Sequence, residues 1–182
     1  MSTFKILLWP DPKLKIPSTP VTTVNPKLVE EMFAAMDQAG GVGLSAIQIG
    51  FPVRVVVASI GGLRRTFLNP CWVEAEGATM KPVLEGCLST PGMFETVYRY
   101  DKVQVDFDVQ ETKSFVDETC SDKECKTTII LRPETLYLEG LWAQMIQHEC
   151  EHLEGKMFTD HLKRADRSRI MGEMLKLKRN RR

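Results

Sequence analysis

The sequence predicts an α+β fold, because strand-like patterns precede helix-like patterns over most of the chain. Across residues 103–110, apolar side chains alternate with Gln and Asp, which is the period of a half-buried strand. Across residues 141–153, apolar side chains recur near the helical period, and Gly140 and Gly155 bracket the run. The two periods, in this order along the chain, indicate the class.

Three elements are expected in the first third of the chain. The segment from Met1 to Pro10 predicts a short strand that enters a proline turn. Asn25-Pro26, followed by regularly spaced apolar residues, predicts a capped amphipathic helix that ends at Gly40-Gly41. The β-branched run from Val53 to Ile60 is typical of a buried strand.

The remaining elements lie around and after the alternating strand. Residues 127–131 and 135–138 are candidates to pair with it, and the polar stretch around Cys120 and Cys125 is a candidate for a long connection. After the helix at 141–153, the spacing of Ile170, Met174 and Leu175 predicts a last helix with a charged outer face.

Composition places the chain among ordinary soluble proteins. Its 182 residues fit a single domain, 1–182, with 43% hydrophobic and 26% charged residues. No apolar stretch approaches the ~20 residues needed to cross a bilayer, and no signal peptide is evident, so a cytoplasmic protein is expected. A trimmed organellar form would have the same appearance. Five cysteines, an odd number, argue against a disulfide framework.

Charge is unevenly placed along the chain. The net charge is zero, but residues 163–182 hold nine Lys or Arg against two acidic residues, a net charge of +7. The rest of the chain therefore carries −7. A basic C-terminal helix of this kind is either a solvated face or a binding surface for an anionic partner such as RNA.

Two histidines carry the strongest chemical signal. His148 and His152 are four residues apart, so a helix presents both imidazoles on one face. That spacing suits two ligands of one divalent metal, with Glu149 placed to accept a proton from water at that metal. The alternative is that both are partly buried polar residues of a helix.

A catalytic metal site usually needs a third protein ligand. Glu173, 21 residues after His152, would suit a thermolysin-like protease, but it falls in the basic tail and is more typical of a solvated helix residue. His161 is a spare histidine with an expected surface or capping role. Cys87, within Glu85-Gly86-Cys87-Leu88-Ser89, is the preferred ligand, although alone it would be typical of a core residue.

The segment from Gly41 to Gln48 is a third candidate element. Its alternate glycines, Gly41 and Gly43, allow another backbone to approach closely. Gln48, at its end, can donate its amide N–H to an oxygen that becomes negative in a transition state.

Taken together, the three segments resemble the signature motifs of the peptide deformylase family, in the same order. Residues 41–48 resemble its first motif, residues 85–89 match its Glu-Gly-Cys-Leu-Ser motif, and residues 147–153 resemble its Gln-His-Glu-x-Asp-His-Leu motif. The sequence departs from the family pattern at four positions, which are Ser45, Ile47, Gln144 and Glu151.

The resemblance implies a reaction, a cofactor and a fold. The reaction is hydrolysis of the N-formyl group from the initiator methionine of new polypeptides, with release of formate. Cys87, His148 and His152 would hold one divalent metal; Fe(II) is typical of the family, and Zn(II), Ni(II) or Co(II) are compatible. Glu149 would carry the proton, while Gln48 and the backbone N–H of Leu88 would stabilise the oxyanion. The implied fold has antiparallel or mixed sheets packed around a central helix that carries the histidines, with a C-terminal helix.

The resemblance also implies binding residues and partners. The expected partner is the N-formylmethionyl nascent peptide, with the ribosome as a candidate partner of the basic tail and no membrane partner. The extended substrate would dock like an added strand. Its backbone is expected to contact Val42, Gly43 and Gly86. Its methionine side chain is expected to contact Leu88, Leu141 and Met145. The metal ligands are expected to be oriented by Glu85, Arg99 and Glu151.

Two other classes of function remain open at this point. A general metalloprotease would need a broad cleft and would cleave internal peptide bonds. A non-catalytic, metal-stabilised module that binds RNA would have a closed site with four protein ligands.

Overall fold

Seven β-strands and three α-helices make up the described part of the chain, which is residues 4–116 and 125–180 of a computed structural model. The strands are β1 (Gly43–Ser45), β2 (Val55–Ile60), β3 (Leu63–Glu74), β4 (Met80–Gly86), β5 (Phe94–Tyr100), β6 (Lys102–Val116) and β7 (Cys125–Glu139). The helices are α1 (Pro26–Gln38), α2 (Leu141–Leu153) and α3 (Arg164–Asn180), with 3₁₀ turns at Pro12–Lys15, Ala46–Ile49 and Phe158–His161. This arrangement confirms an α+β fold with antiparallel sheets and a C-terminal helix.

The strands form two sheets, and every neighbouring pair is antiparallel. The larger sheet has the order β1-β2-β3-β6-β7, and β4 pairs with β5 in a separate two-stranded sheet. Within the described residues, β1 pairs only with β2, and β4 only with β5. Each therefore keeps one backbone edge that an extended peptide can pair with.

Helix α1 has the capped start that the sequence predicts. The side chain of Asn25 accepts a hydrogen bond from the backbone N–H of Lys27 at 3.0 Å, and Pro26 occupies the first turn, where its missing N–H costs nothing. The buried face, with Met32 and Met36 fully enclosed, packs in a cluster that includes Leu44 of β1 and Val57 of β2. The helix thus supports the short strand β1 from behind.

Helix α2 is anchored by one apolar stripe. Ile146 and Leu153 are fully buried in a cluster with Val56, Phe67 and Val105 from the larger sheet. Burial of each such side chain is worth roughly 1.5–3 kcal/mol, so the axial rotation of α2 is well determined. That rotation fixes the direction in which the polar residues of α2 point.

Helix α3 packs against the rest of the described chain through two of its three predicted apolar residues. Ile170 and Met174 are fully buried in a third cluster, together with Trp9, Phe158 and the site residue Cys87. Leu175, which the periodicity grouped with them, is instead 48% exposed. The helix therefore contributes to the packing beneath the candidate site.

The amino-terminal segment differs from its prediction. Residues 4–8 form no strand, so the predicted strand before Pro10 is wrong. Instead, the N–H of Leu7 donates to the carbonyl of Gln48 at 2.7 Å, and the N–H of Trp9 donates to that of Ser89 at 2.8 Å. These backbone groups bind two loops of the candidate site, so the segment satisfies its hydrogen bonds without a sheet partner.

The strand pairing at the β6–β7 hairpin follows the prediction in part. The segments 127–131 and 135–138 do pair with β6, but as parts of the single strand β7, whose pairing continues through Pro133. Proline did not interrupt β7, because this strand lies at the sheet edge. Most of the predicted connection around Cys120 lies outside the described residues.

None of the helices among the described residues is long and apolar enough to cross a membrane.

Candidate active site

Three potential metal ligands converge where α2 faces the end of β4. The Sγ of Cys87 lies 3.2 Å from the Nε2 of His152, which in turn lies 3.1 Å from the Nε2 of His148. All three donor atoms lie within 4.8 Å of one another, and all three residues are buried. Cys87 reaches the histidines from a turn that begins where β4 ends at Gly86.

The hydrogen bonds of the two imidazoles orient their free nitrogens towards each other. Nδ1 of His148 lies 2.5 Å from a carboxylate oxygen of Glu85, and Nδ1 of His152 lies 3.1 Å from the carbonyl of Lys156. Because both partners are acceptors, the proton of each neutral ring belongs on Nδ1, and the lone pairs belong on Nε2. Two such lone pairs beside a sulfur repel one another unless a cation lies between them, so the donor set fits a metal.

The environment of Cys87 favours a thiolate. Burial raises the pKa of this thiol, but the adjacent imidazoles of His152 and His148 outweigh burial and lower the pKa to about 6. The backbone N–H of Ser89 and the amide of Gln48 also point at Sγ, at 3.4 and 3.5 Å. A thiolate is the form of cysteine that binds metals.

The site also concentrates negative charge. Burial disfavours the charged form of His148, yet contacts with Cys87 and Glu85 raise its pKa well above the ordinary value. A raised pKa for a buried imidazole indicates that the groups around it favour positive charge. A proton or a metal cation can supply that charge, which is a second indication that the donor set fits a metal.

Glu149 lies beside the three donors but has different partners. The hydroxyl of Ser45 lies 2.6 Å from the Oε2 of Glu149 and 2.9 Å from its backbone carbonyl. Glu149 is 4% exposed and lines the adjoining cavity. Ser45 is one of the four departures from the family pattern, and the sequence did not indicate its contact with Glu149.

The amide of Gln48 has a fixed orientation. Its Oε1 accepts a hydrogen bond from the backbone N–H of Ser45 at 2.9 Å, which leaves Nε2 to face Cys87 and Ser89. An amide held in this way presents an N–H donor close to the convergent ligands. Leu88 follows Cys87, and its side chain packs so closely over Gly41 that a Cβ there would meet it at 2.6 Å.

A buried ionic network supports the histidine-bearing face of α2. The guanidinium of Arg99 makes paired contacts with Glu85, at 2.9 and 2.8 Å, and with Glu151, at 2.5 and 2.8 Å. Burial raises the pKa of Glu85, but the hydrogen bonds from Arg99 and His148 outweigh it and lower that pKa to about 2. His161, for which a surface or capping role was expected, is exposed and contacts Glu151 at 2.7 Å, which extends the network through a contact that the sequence did not indicate.

A cavity of about 400 Å³ opens beside Cys87, His148 and Glu149. All the residues expected from the sequence to contact the substrate line this cavity: Val42, Gly43, Gly86, Leu88, Leu141 and Met145. Gln144, a departure from the family pattern, also lines the cavity, and its amide donates to the carbonyl of Leu84 at 3.3 Å. The cavity thus has mainly apolar walls and one polar end that holds the convergent ligands.

Two glycines allow close approach to this cavity. A Cβ at Gly43 would lie 2.8 Å from both Oε1 of Glu149 and Cγ of Met145. A Cβ at Gly86 would lie 2.6 Å from the ring of Phe94. Any larger residue at either position would displace a neighbour on the cavity wall.

The competing ligand candidates lie elsewhere. Glu173 lies on α3, where its carboxylate accepts a hydrogen bond from Lys176 at 2.9 Å. Within residues 4–116 and 125–180, the group of three or more acidic, His or Cys residues that could hold a metal consists of Cys87, His148 and His152.

An α+β chain with a Cys-His-His donor set, an adjacent buried glutamate and an apolar cavity has the features of a metal-dependent hydrolase. The family model described as polypeptide deformylase matches residues 3–124 and 128–168. The chain belongs to the polypeptide deformylase family.

Individual relatives are similar over their full length. A peptide deformylase of Stutzerimonas stutzeri is 38% identical, with 98% of each chain covered. Peptide deformylase 1 of Pseudomonas syringae is also 38% identical, covering 97% of this chain and 96% of its own. The crystal structure of a peptide deformylase from Legionella pneumophila matches with a TM-score of 0.78 at 34% identity, covering 98% of this chain and 96% of its own. A peptide deformylase of Ehrlichia chaffeensis in complex with actinonin matches with a TM-score of 0.78 at 28% identity, over 98% and 99% of the two chains.

Proposed function

We propose that this protein hydrolyses the formamide of N-formylmethionyl peptides and releases formate and a free amino terminus. The convergence of Cys87, His148 and His152 beside Glu149, at the polar end of an apolar cavity, carries this proposal. Membership of the polypeptide deformylase family supports the same reaction.

Cys87, His148 and His152 would hold the metal, with one sulfur and two nitrogen donors. When bound there, a divalent metal supplies a Lewis acid that polarises a carbonyl and makes water more acidic. One thiolate and two imidazoles suit Fe(II), Zn(II), Ni(II) and Co(II), and we propose Fe(II) as the native ion because the resemblance implies it. Helix α2 would be the central scaffold of the site, since it carries both histidines and Glu149.

Different residues of the chain would transfer the proton and stabilise the negative charge that develops. Glu149 accepts a proton from the attacking water, and the oxygen of that water bonds to the formyl carbon. The formyl oxygen becomes negative and is stabilised by N–H donors from Gln48 and the backbone of Leu88. When the C–N bond breaks, Glu149 returns the proton to the departing amine. The hydroxyl of Ser45 holds Glu149 in place through both steps.

The substrate would lie as an extended strand between two sheet edges. Gly43 of β1 and Gly86 of β4 face the cavity from opposite sheets, and each has a pairing edge with no strand partner among the described residues. A peptide added there gains backbone hydrogen bonds whatever its sequence, as a processing enzyme of this kind requires. The methionine side chain would then point towards α2 and contact Leu141 and Met145.

The imidazoles of the metal ligands would be held in their orientation by Glu85, Arg99 and Glu151. Glu85 holds His148 through Nδ1, and Arg99 connects Glu85 to Glu151, the residue next to His152. Partners of this kind typically alter metal affinity or activity by ~10–100-fold when removed.

Formate release from a formyl-Met tripeptide, measured on anaerobically purified, metal-loaded protein, tests the proposal. Wild type should turn over, Cys87→Ser should lose metal and activity together, and Glu149→Gln should keep metal while losing ~10²–10⁴ in rate. Cys71→Ser, at an exposed cysteine, is the matched control and should behave as wild type. Cleavage of internal bonds in an unformylated protein, without formate release, would instead support a general metalloprotease.

We also propose that the basic surface of α3 binds ribosomal RNA, which would hold the enzyme in the compartment where formylated chains emerge. Ile170 and Met174 are buried in the domain, so truncation of α3 would disturb the site and is not a clean test. Arg164, Lys178 and Arg179 form no ion pair with any residue in the described ranges and are available to phosphate.

Replacement of these three residues by glutamine tests this second proposal. Ribosome co-sedimentation should weaken, and the slope of log affinity against log salt should fall by about 2, while turnover of a tripeptide is retained. The control removes three basic residues outside the tail, Lys13, Lys27 and Lys81. If both triple variants sediment like wild type, the tail is only a solvated helix.

A further inference from the structure

The two-stranded sheet β4–β5 has one inner and one outer face. On the inner face, Glu85 and Arg99 contact His148 and Glu151 of α2. The alternate residues point outward, and large apolar or aromatic side chains stand exposed there: Met80 at 54%, Leu84 at 69%, Phe94 at 61% and Tyr98 at 60%. Pro82, Gly86 and Thr96 complete this face from residue 80 to residue 98 of the two strands, so none of its positions there carries a charge. Exposed apolar side chains grouped in this way mark binding surfaces.

Phe94 connects this outer face to the catalytic cavity. It pairs with Gly86 across the two strands, and it also lines the cavity. A Cβ on Gly86 would meet the ring at 2.6 Å, so the ring of Phe94 covers the outer side of Gly86. Leu84 stands diagonally beside it on the same face, and its carbonyl is bound by Gln144 on the cavity wall.

Strand geometry predicts which part of a substrate meets this ring. Successive side chains of an extended peptide point to opposite faces. If the methionine side chain of a peptide paired at Gly86 points inward to Leu141 and Met145, the next side chain points outward, on the side of Phe94. That second residue would otherwise be left in solvent.

We propose that Phe94, with Leu84 beside it, forms a subsite that selects an apolar side chain at the second residue of the substrate, directly after formyl-Met. The occupant is the substrate itself, because the face is continuous with the cavity through Phe94. This inference rests on the proposed deformylation. An uncharged apolar rim favours aliphatic and aromatic residues and disfavours acidic ones, whose desolvation it cannot offset.

The size of the preference follows from the area available. A leucine at the second residue would bury roughly 50 Å² more apolar surface against Phe94 than a serine would, which corresponds to about a tenfold difference in kcat/KM. The value of kcat/KM should therefore change with the side chain of residue 2. It should not change in this way with the side chain of residue 3, which points back to the inner side.

Formyl-Met-X-peptides with X as Leu, Ser or Asp test the proposal, with formate release by the metal-loaded full-length protein as the readout. Wild type should prefer Leu to Ser by about tenfold, and Phe94→Ser should reduce that ratio to below about threefold. Phe94→Arg should reverse the order and favour Asp over Leu, because a guanidinium then faces residue 2. Tyr137→Ser and Tyr137→Arg, at an aromatic residue of β7 that is 72% exposed, are the matched controls and should leave the ratios unchanged.

The outcomes separate this inference from the proposed function. Absence of formate release from every peptide would refute the deformylation itself. Formate release with equal rates for Leu and Ser, or a preference unaltered in both Phe94 variants, would overturn the subsite alone. A wild-type dimer that becomes monomeric in Phe94→Arg, with unaltered ratios, would assign the face to a second copy of the chain and would also overturn the subsite.

Discussion

Replacement of Arg99 by methionine tests the claim that a buried ionic network stabilises the site. Arg99 is 3% exposed and lies between two carboxylates, those of Glu85 and Glu151, whose side chains are 4% and 13% exposed. Methionine has a similar length but no charge, so Arg99→Met leaves two buried carboxylates without their cation. Removal of one partner from a buried ionic group typically costs ~3–5 kcal/mol, because the remaining charge stays desolvated.

The lowered pKa of Glu85 sets an upper bound of similar size, because Arg99 and His148 together cause it. That pKa falls from 4.5 to about 2, and such a shift corresponds to about 3 kcal/mol of preference for the carboxylate form. If all 182 residues unfold as one unit, the unfolding entropy is about 0.38 kcal/mol/K, so a loss of ~3–5 kcal/mol lowers Tm by about 8–13 °C.

Scanning calorimetry of metal-loaded protein measures this difference, and the chain offers a close control. Arg132 also contacts two carboxylates, Glu111 and Glu134, but its side chain is 49% exposed. Arg132→Met should therefore cost less than about 1 kcal/mol, or under 3 °C. Two outcomes would contradict this prediction: equal loss of stability in the two variants, or a Tm of Arg99→Met within 3 °C of wild type. Either would mean that burial does not increase the contribution of these ion pairs to stability.

Four further changes have predictable outcomes. Ser45→Ala should lower kcat about tenfold with KM within twofold, since the lost hydroxyl contacts Glu149 and does not line the cavity; a rise in KM alone would contradict this. Gly43→Ala should raise KM and lower kcat together in steady-state assays, because its Cβ would displace the Glu149 carboxylate; wild-type constants would refute that clash. Glu151→Asp should weaken metal binding about tenfold in competition with a chelator, because the shorter side chain cannot keep both contacts with Arg99; unchanged or tighter binding would argue against this role. The pKa of Glu85 is lower in the folded chain than its ordinary value, so its contribution to unfolding free energy should be complete above pH 4.5 and lost as the pH falls towards 2; acid unfolding curves of wild type and Glu85→Gln should differ there, and identical curves would contradict the shift.

Much of the fold was predictable from local sequence alone. The Asn25-Pro26 cap and the apolar spacing after it identified α1, and the alternation at 103–109 identified β6. Both signals are short-range, because they depend only on the period of the backbone and on hydrogen bonds within a few residues. The amino-terminal strand was predicted wrongly, because residues 4–8 satisfy their backbone through loops that are distant in sequence.

For the site, the sequence by itself determined which residue types form the donor set. Only the tertiary structure decided which other residues contact them. Spacing by one helical turn fixed His148 and His152 on a common face, and the motifs marked Cys87 and Gln48. The contacts of Ser45 with Glu149, of His161 with Glu151 and of Phe94 with Gly86 had no sequence signal. Each joins segments whose separation depends on strand register and helix rotation, and a shift of one residue would replace every such neighbour. Helical period operates within one element, whereas these contacts depend on the packing of the whole chain.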